Sequence, residues 1–193
     1  MRKLIIVLVV ISLLLLAGCE YESEEEKQAR VNISIEKCSS VTSKDDYDIA
    51  LCLAEEAVRW AEQGKDHVRD LCKKTGNQER RYICYFYSAI MTNQGHFCNS
   101  AGDHAGCKMI AYNGFCSQMQ NRNQCIDDQV FFMSLLNKSR SKAICDLYFE
   151  PSEYMGSCLE IDFDEPDEGT LRERFILMRS ALSLADLEVR VLN

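Results

Sequence analysis

Hydrophobic positions recur at helical spacing through most of the chain. Between Asp45 and Glu62, Tyr47, Ala50, Leu51, Ala54, Val58 and Ala61 fall at i, i+3, i+4, i+7, i+11 and i+14, which predicts one apolar face of an α-helix. Ser43 with Asp46 three residues on is a candidate N-terminal cap, and Gly64 closes the segment. A short helix is expected from His67 to Lys74, stopped by Gly76-Asn77. Another is expected from Glu79 to Met91, with Ile83, Phe86, Tyr87 and Ile90 on one face. Asp127 to Leu136 is strongly apolar, and Ser141 to Tyr148 continues helical until Pro151. Thr170 with Glu173 forms a capping box, after which Leu171, Phe175, Met178, Leu182, Ala185 and Val189 alternate four and three apart. That stripe, Leu171 to Leu192, predicts the longest helix, read as core packing and a candidate central helix. The only two prolines are Pro151 and Pro166, so helices are permitted almost everywhere else.

The middle of the chain has a different texture. Cysteines stand at 98, 107, 116 and 125, nine residues apart each time, and glycines at 95, 102, 106 and 114 break the segment. Nine residues is two and a half helical turns, so a continuous helix would alternate their faces. Short helices near His104–Tyr112 and Phe115–Gln120, joined by turns, fit better. A shift of 73 residues places Cys52, Cys72 and Leu71 on Cys125, Cys145 and Ile144, and brings Cys84 to within one residue of Cys158. A duplicated helical hairpin would produce this, as would two hairpins of similar size. The expected fold class is all-α: a disulfide-stapled irregular helical bundle, or stacked helical hairpins, of five to eight helices.

The N-terminus reads as a targeting segment. Arg2 and Lys3 precede an apolar run from Leu4 to Leu16 broken only by Ser12. The run is shorter than the roughly 17–25 residues a spanning helix needs, which favours a processed signal. Leu16-Ala17-Gly18-Cys19 closes it, and the chain turns polar at Glu20. This resembles the lipobox of prokaryotic membrane lipoproteins. The resemblance implies that residues 1–18 are a signal peptide and that the Cys19 thiol receives a diacylglycerol. Cys19 would then be the first residue of the mature chain, with palmitate as the expected further acyl group. It also implies a cell-membrane or outer-membrane location on the extracytoplasmic face; Glu20 is not the Asp that retains lipoproteins at the inner membrane. An ordinary signal peptide, with Cys19 as one more disulfide cysteine, is the alternative. Residues 19–30 are charged and nearly devoid of apolar side chains, and are expected to be a flexible tether. Residues 31–193 form the helical, Cys-rich domain.

Eleven cysteines in 193 residues are too many for most reduced compartments without a metal spacing. No C-x-x-C occurs, so neither a zinc ribbon nor a redox dithiol is signalled, and no metal or cofactor is expected. Setting Cys19 aside leaves an even ten: Cys38, Cys52, Cys72, Cys84, Cys98, Cys107, Cys116, Cys125, Cys145 and Cys158. All ten are expected in disulfides, with on the order of a thousand full pairings open.

Charge and motifs narrow the function classes. A net charge of −8 argues against a nucleic-acid partner and against electrostatic binding to anionic lipid. The expected partners are the membrane, through the anchor, and an envelope protein. No G-x-S-x-G, H-E-x-x-H or phosphate loop occurs. Asp127-Asp128 are expected to open the Val130 helix, and Glu55-Glu56 to sit on the polar side of theirs. Asp162-Phe163-Asp164 begins like a calcium loop, but Pro166 and Asp167 spoil it, leaving a charged loop. Tyr82, Tyr85, Phe86 and Tyr87 read as core with a wet tyrosine rim, or as an aromatic groove. The leading functional expectation is a lipid-anchored extracytoplasmic binding or scaffolding protein. A small-ligand or lipid-binding helical domain would instead need an apolar cavity beside the Leu171–Leu192 helix. An envelope enzyme would need His67, His96 or His104 to meet a carboxylate in a cleft.

Overall fold

The computed structural model describes residues 22–40, 46–102, 104–111, 115–148 and 156–191. Among these the chain is all-α, with no strand. The helices are α1 (Glu24–Ser39), α2 (Asp46–Glu62), α3 (Val68–Lys73), α4 (Gln78–Thr92), α5 (His104–Ala111), α6 (Arg122–Leu136), α7 (Lys138–Tyr148), α8 (Gly156–Glu160) and α9 (Leu171–Val191). Two 3-10 turns, Gly95–Ser100 and Cys116–Gln118, flank α5. No helix among the described residues is long and apolar enough to cross a membrane. The signal segment, Cys19, the Ser43 cap and Pro151 lie outside the described residues.

The centre of the fold is α4, not the C-terminal helix. Every residue from Ile83 to Ile90 is buried, which requires neighbours on all sides. α2 packs against it with Ala50, Leu51, Leu53, Ala54, Ala57 and Val58 buried. From α9, Phe175 closes on Phe86 edge-to-face, ring centroids 5.8 Å apart, and on Tyr87 at 6.1 Å. Phe175, Met178 and Leu182 bury the stripe read from sequence, whereas Ile176 and Leu177 face outward. The heptad-like spacing placed Phe175, Met178 and Leu182 inward and Leu171 at the edge of the core, while the Ala185 and Val189 side chains lie outside the described residues. It did not show that a shorter helix lies deeper.

α1 was missed by the apolar pattern. Its start is local chemistry: the Ser23 hydroxyl accepts the Glu26 backbone N–H, and the Glu26 carboxylate accepts the Ser23 N–H at 3.0 Å. Only Val31, Ser34 and Cys38 are buried along it, too narrow a stripe to signal a helix. Residues 24–30, expected to be tether, are the first two turns of this helix. Polar contacts hold α1 to α2. The Trp60 indole N–H donates to Ser34 Oγ at 3.1 Å, and that hydroxyl donates to Glu56 Oε2 at 3.2 Å. Glu56 is buried, not on the polar face, and pairs with Lys37 at 2.5 Å and with Arg59. Burial alone would push its carboxyl up, but Lys37 and Arg59 outweigh it and hold the group below its ordinary value.

The second half is joined by backbone capping. α6 begins at Arg122, so Asp127 does not open it. Its carboxylate instead accepts the Ser157 N–H at 2.7 Å and fixes α8. Burial pushes the Asp128 carboxyl up, against the hydrogen bond from Gln124. The acidic segment after α8 docks on α7: Asp167 accepts the Lys138 N–H at 2.9 Å and pairs with Arg174, and Glu165 lies 3.4 Å from Lys138 Nζ. The Thr170–Glu173 capping box is present, with Thr170 N–H to Glu173 Oε2 at 2.7 Å.

Two expected outcomes test these assignments. Phe175→Ala should cost about 3–5 kcal/mol in chemical denaturation, while exposed Leu177→Ser should stay within about 0.5 kcal/mol. Glu56 stabilises the fold above the ordinary carboxylate range, and that stability is lost as pH falls through its depressed folded value. Glu56→Gln should therefore destabilise by about 1–3 kcal/mol at pH 7. The gap to wild type should shrink as titration proceeds below the ordinary value of 4.5.

Candidate functional site

The ten body cysteines form five disulfides, and each joins a cysteine to the next one along the chain. The pairs are Cys38–Cys52, Cys72–Cys84, Cys98–Cys107, Cys116–Cys125 and Cys145–Cys158. Sequence separations run only from 9 to 14. The 73-residue shift maps Cys72–Cys84 closely onto Cys145–Cys158, and Cys52 and Cys125 each pair upstream. The match stops there, because Cys84 lies in the 15-residue α4 and Cys158 in the five-residue α8.

Two of these bonds lie beside a pocket at the end of α4. α4 ends on Asn93, whose left-handed φ of 57° turns the chain sharply into Gln94 and Gly95. The first 3-10 turn follows, with Phe97 buried and stacked on Tyr85 at 6.0 Å. His96 lies over Phe97, centroids 4.0 Å apart. The Cys98–Cys107 bond then fixes this turn to α5. Asn99 and Lys108, each next in sequence to a bonded cysteine, come to one pocket, and Phe115, which precedes Cys116, completes it. The pocket measures ≈ 580 Å³ and is lined by Asn93, Gln94, Gly95, His96, Asn99, Lys108 and Phe115. That volume falls within the range of small-molecule sites. Gln94 Oε1 is buried and without a hydrogen-bond partner among the described residues.

The chemistry of this lining stands apart from the acidic body. It offers one aromatic face, three carboxamides, an imidazole and an ammonium, and no carboxylate among the described residues. Such a set can bind and orient a polar or negatively charged solute.

The three histidines separate clearly. His67 does meet a carboxylate, with Nε2 3.3 Å from Glu22 Oε2, but at 1% exposure it is sealed from any cleft. His96 lines the pocket without a carboxylate. The His104 side chain lies outside the described residues, as does Cys19. Among the described residues no cluster of His, Cys, Asp and Glu could hold a metal ion. Tyr82 and Tyr47 do line a second groove with Glu79, Ile176 and Arg179, while Tyr85, Phe86 and Tyr87 are core. Sequence reading missed the His96 pocket because its residues come from three separate elements. The only available signal was the nine-residue cysteine spacing beside them.

No protein-family model matches the chain, and no curated protein or solved structure is significantly similar to it.

The bonding pattern has a direct check. Peptide mapping without reduction should recover five adjacent-cysteine pairs. Each short loop contributes about 3 kcal/mol, so full reduction should lower Tm by well over 10 °C. Unchanged melting would remove the stabilising role.

Proposed function

We propose that this protein is a lipid-anchored extracytoplasmic binding protein whose ligand seat is the disulfide-framed His96 pocket. The Leu16-Ala17-Gly18-Cys19 sequence supports the anchor, and five disulfides agree with an oxidising, exported environment. The observation that carries the binding reading is the pocket lining: Lys108, His96 and three amides around Phe115, with no carboxylate among the described residues, on a chain of net charge −8. A local cationic seat on an acidic body favours a small solute bearing negative charge and hydrogen-bonding groups. The lipid-carrier alternative finds less support. One groove beside α9 sets Tyr47, Tyr82 and Ile176 among Gln78, Glu79, Arg179, Ser180 and Ser183, so its apolar wall is not continuous.

Two measurements test the two halves. Intact mass of membrane-extracted protein should show an acylated N-terminal Cys19, and Cys19→Ser should release the protein into the soluble fraction. Amide-shift titration of the soluble domain with glucuronate and with glucose should move Gln94, His96, Asn99 and Lys108, glucuronate at lower concentration. Lys108→Ala should weaken glucuronate binding by roughly tenfold while changing glucose little, in line with the loss of one charged hydrogen bond. Shifts confined to other residues would overturn the pocket assignment.

A further inference from the structure

Arg140 of α7 is half-buried, and its guanidinium makes no hydrogen bond or ion pair among the described residues. Burial pushes its pKa down, and the opposing influence of Glu62 and Tyr87 does not restore it. Arg140 lines a cavity of ≈ 100 Å³ with Asn93, Met133, Ala143 and Ile144, and no carboxylate among the described residues joins that lining. Glu62, at the exposed end of α2, acts on the guanidinium without forming an ion pair with it. The acidic segment after α8 is engaged elsewhere. Glu165 lies 3.4 Å from Lys138 Nζ, Asp164 lies 4.0 Å from Lys142 Nζ, and Asp167 accepts the Lys138 N–H. Lys138 and Lys142 each stand two positions from Arg140, roughly 200° round the helix, so the acidic segment covers a different face of α7.

Asn93 lines both this cavity and the His96 pocket, so the two adjoin at the residue that ends α4. The Arg140 cavity has room for a head group only, since whole small-molecule sites run to about 300–1,000 Å³. We propose that the Arg140 cavity is a second anion subsite beside the His96 pocket, and that the ligand is a small polyhydroxylated diacid with one carboxylate at Lys108 and the other at Arg140. This rests on the pocket reading given above. A guanidinium fork matches a carboxylate through two parallel hydrogen bonds, and an anion there supplies the compensation that a half-buried, unpaired cation lacks. Gln94 Oε1, buried and without a hydrogen-bond partner among the described residues, is an acceptor for a ligand hydroxyl.

The experiment uses the full protein in detergent micelles, with glucarate, glucuronate and glucose as probes that differ in their number of carboxylates. Glucarate should bind roughly tenfold tighter than glucuronate, the worth of a further charged hydrogen-bonded contact. It should also move the Arg140 Nε–H resonance together with the His96 and Lys108 amides, while the exposed Arg81 stays still as the internal control. Arg140→Gln should remove the advantage, so that the two acids bind alike, and Arg140→Lys should restore part of it. Thermal melting by circular dichroism checks that both variants fold. Inorganic phosphate titrated alone should move Arg140 Nε–H, which reads the subsite whatever the spacing between the ligand's carboxylates. Glucuronate shifts at His96 and Lys108 with no Arg140 response to phosphate or glucarate overturn the subsite and leave the pocket standing. An Arg140 response to phosphate with no gain of glucarate over glucuronate overturns the diacid. Absence of any shift at His96 and Lys108 overturns the pocket, and the diacid with it.

Discussion

Eight consecutive residues of α4, Ile83 to Ile90, have no side facing water. A helix of that kind cannot exist as a surface element, because its polar backbone is satisfied internally while its whole circumference must be covered by neighbours. The arrangement of α2 and α9 follows from that requirement. α2 supplies small residues, Ala50, Ala54 and Ala57, which let its axis come close. α9 supplies a large one, Phe175, which fills the space between Phe86 and Tyr87. The disulfides cannot substitute for this assembly. Each closes a loop of 14 residues or fewer, so none draws together segments distant in the chain. Long-range order is the work of apolar burial, and covalent cross-linking acts only on corners.

Which corners are stapled follows helix length. Helices shorter than about a dozen residues are marginal in water. The six-residue α3, the eight-residue α5, the five-residue α8 and both 3-10 turns each carry one bonded cysteine. The 21-residue α9 carries none in its described side chains. In Cys72–Cys84, Cys116–Cys125 and Cys145–Cys158 the partner sits on a longer helix, so a short element borrows the rigidity of a longer one, whereas Cys38–Cys52 joins the two long helices α1 and α2. At Cys98–Cys107 two short elements are joined to each other, and this is where the pocket forms. A wall made of residues adjacent to a bonded cysteine has little freedom to collapse. That explains how a glycine-broken segment can hold a preformed cavity.

The parts of the fold legible in sequence are those written as a wide apolar stripe or a strong local cap. α2, α4 and α9 were readable from their periodicity, and the Thr170–Glu173 cap from its spacing. α1 was not, because its attachment is polar: Ser34 and Lys37 of α1 meet Glu56 and Trp60 of α2, and no one-dimensional pattern encodes such a meeting. Glu56 illustrates the difficulty. On a helical wheel it falls beside Glu55 on the solvent face, yet α1 covers it. Asp127 and Asp167 were read as helix-start and loop charges because their partners, Ser157 N–H and Lys138 N–H, are 30 and 29 residues away. The pairing of cysteines with their immediate neighbours was within reach of the spacing but not forced by it. The His96 pocket was beyond reach, since Asn93, Lys108 and Phe115 belong to three elements and no sequence pattern encodes their relative placement.

α1 also occupies a mechanical position that its thin apolar stripe would not justify by itself. It is the element through which any load from an anchor at Cys19 must enter the body. At its start Glu22 lies against Arg30, Lys65 and His67, and the half-buried Arg30 and Lys65 leave these contacts partly open to screening by salt. Further along, the buried Glu56 contacts are less accessible to salt, with the carboxylate only 5% exposed. At its end Cys38–Cys52 ties it covalently to α2, and α2 is packed on α4. The attachments thus grow more resistant from the start of α1 to its end: partly screened ion pairs, then a buried hydrogen-bond network, then a covalent bond. A pull on the N-terminus would open the first without reaching the last. α1 can therefore yield locally while α4 and the pocket beyond it stay intact.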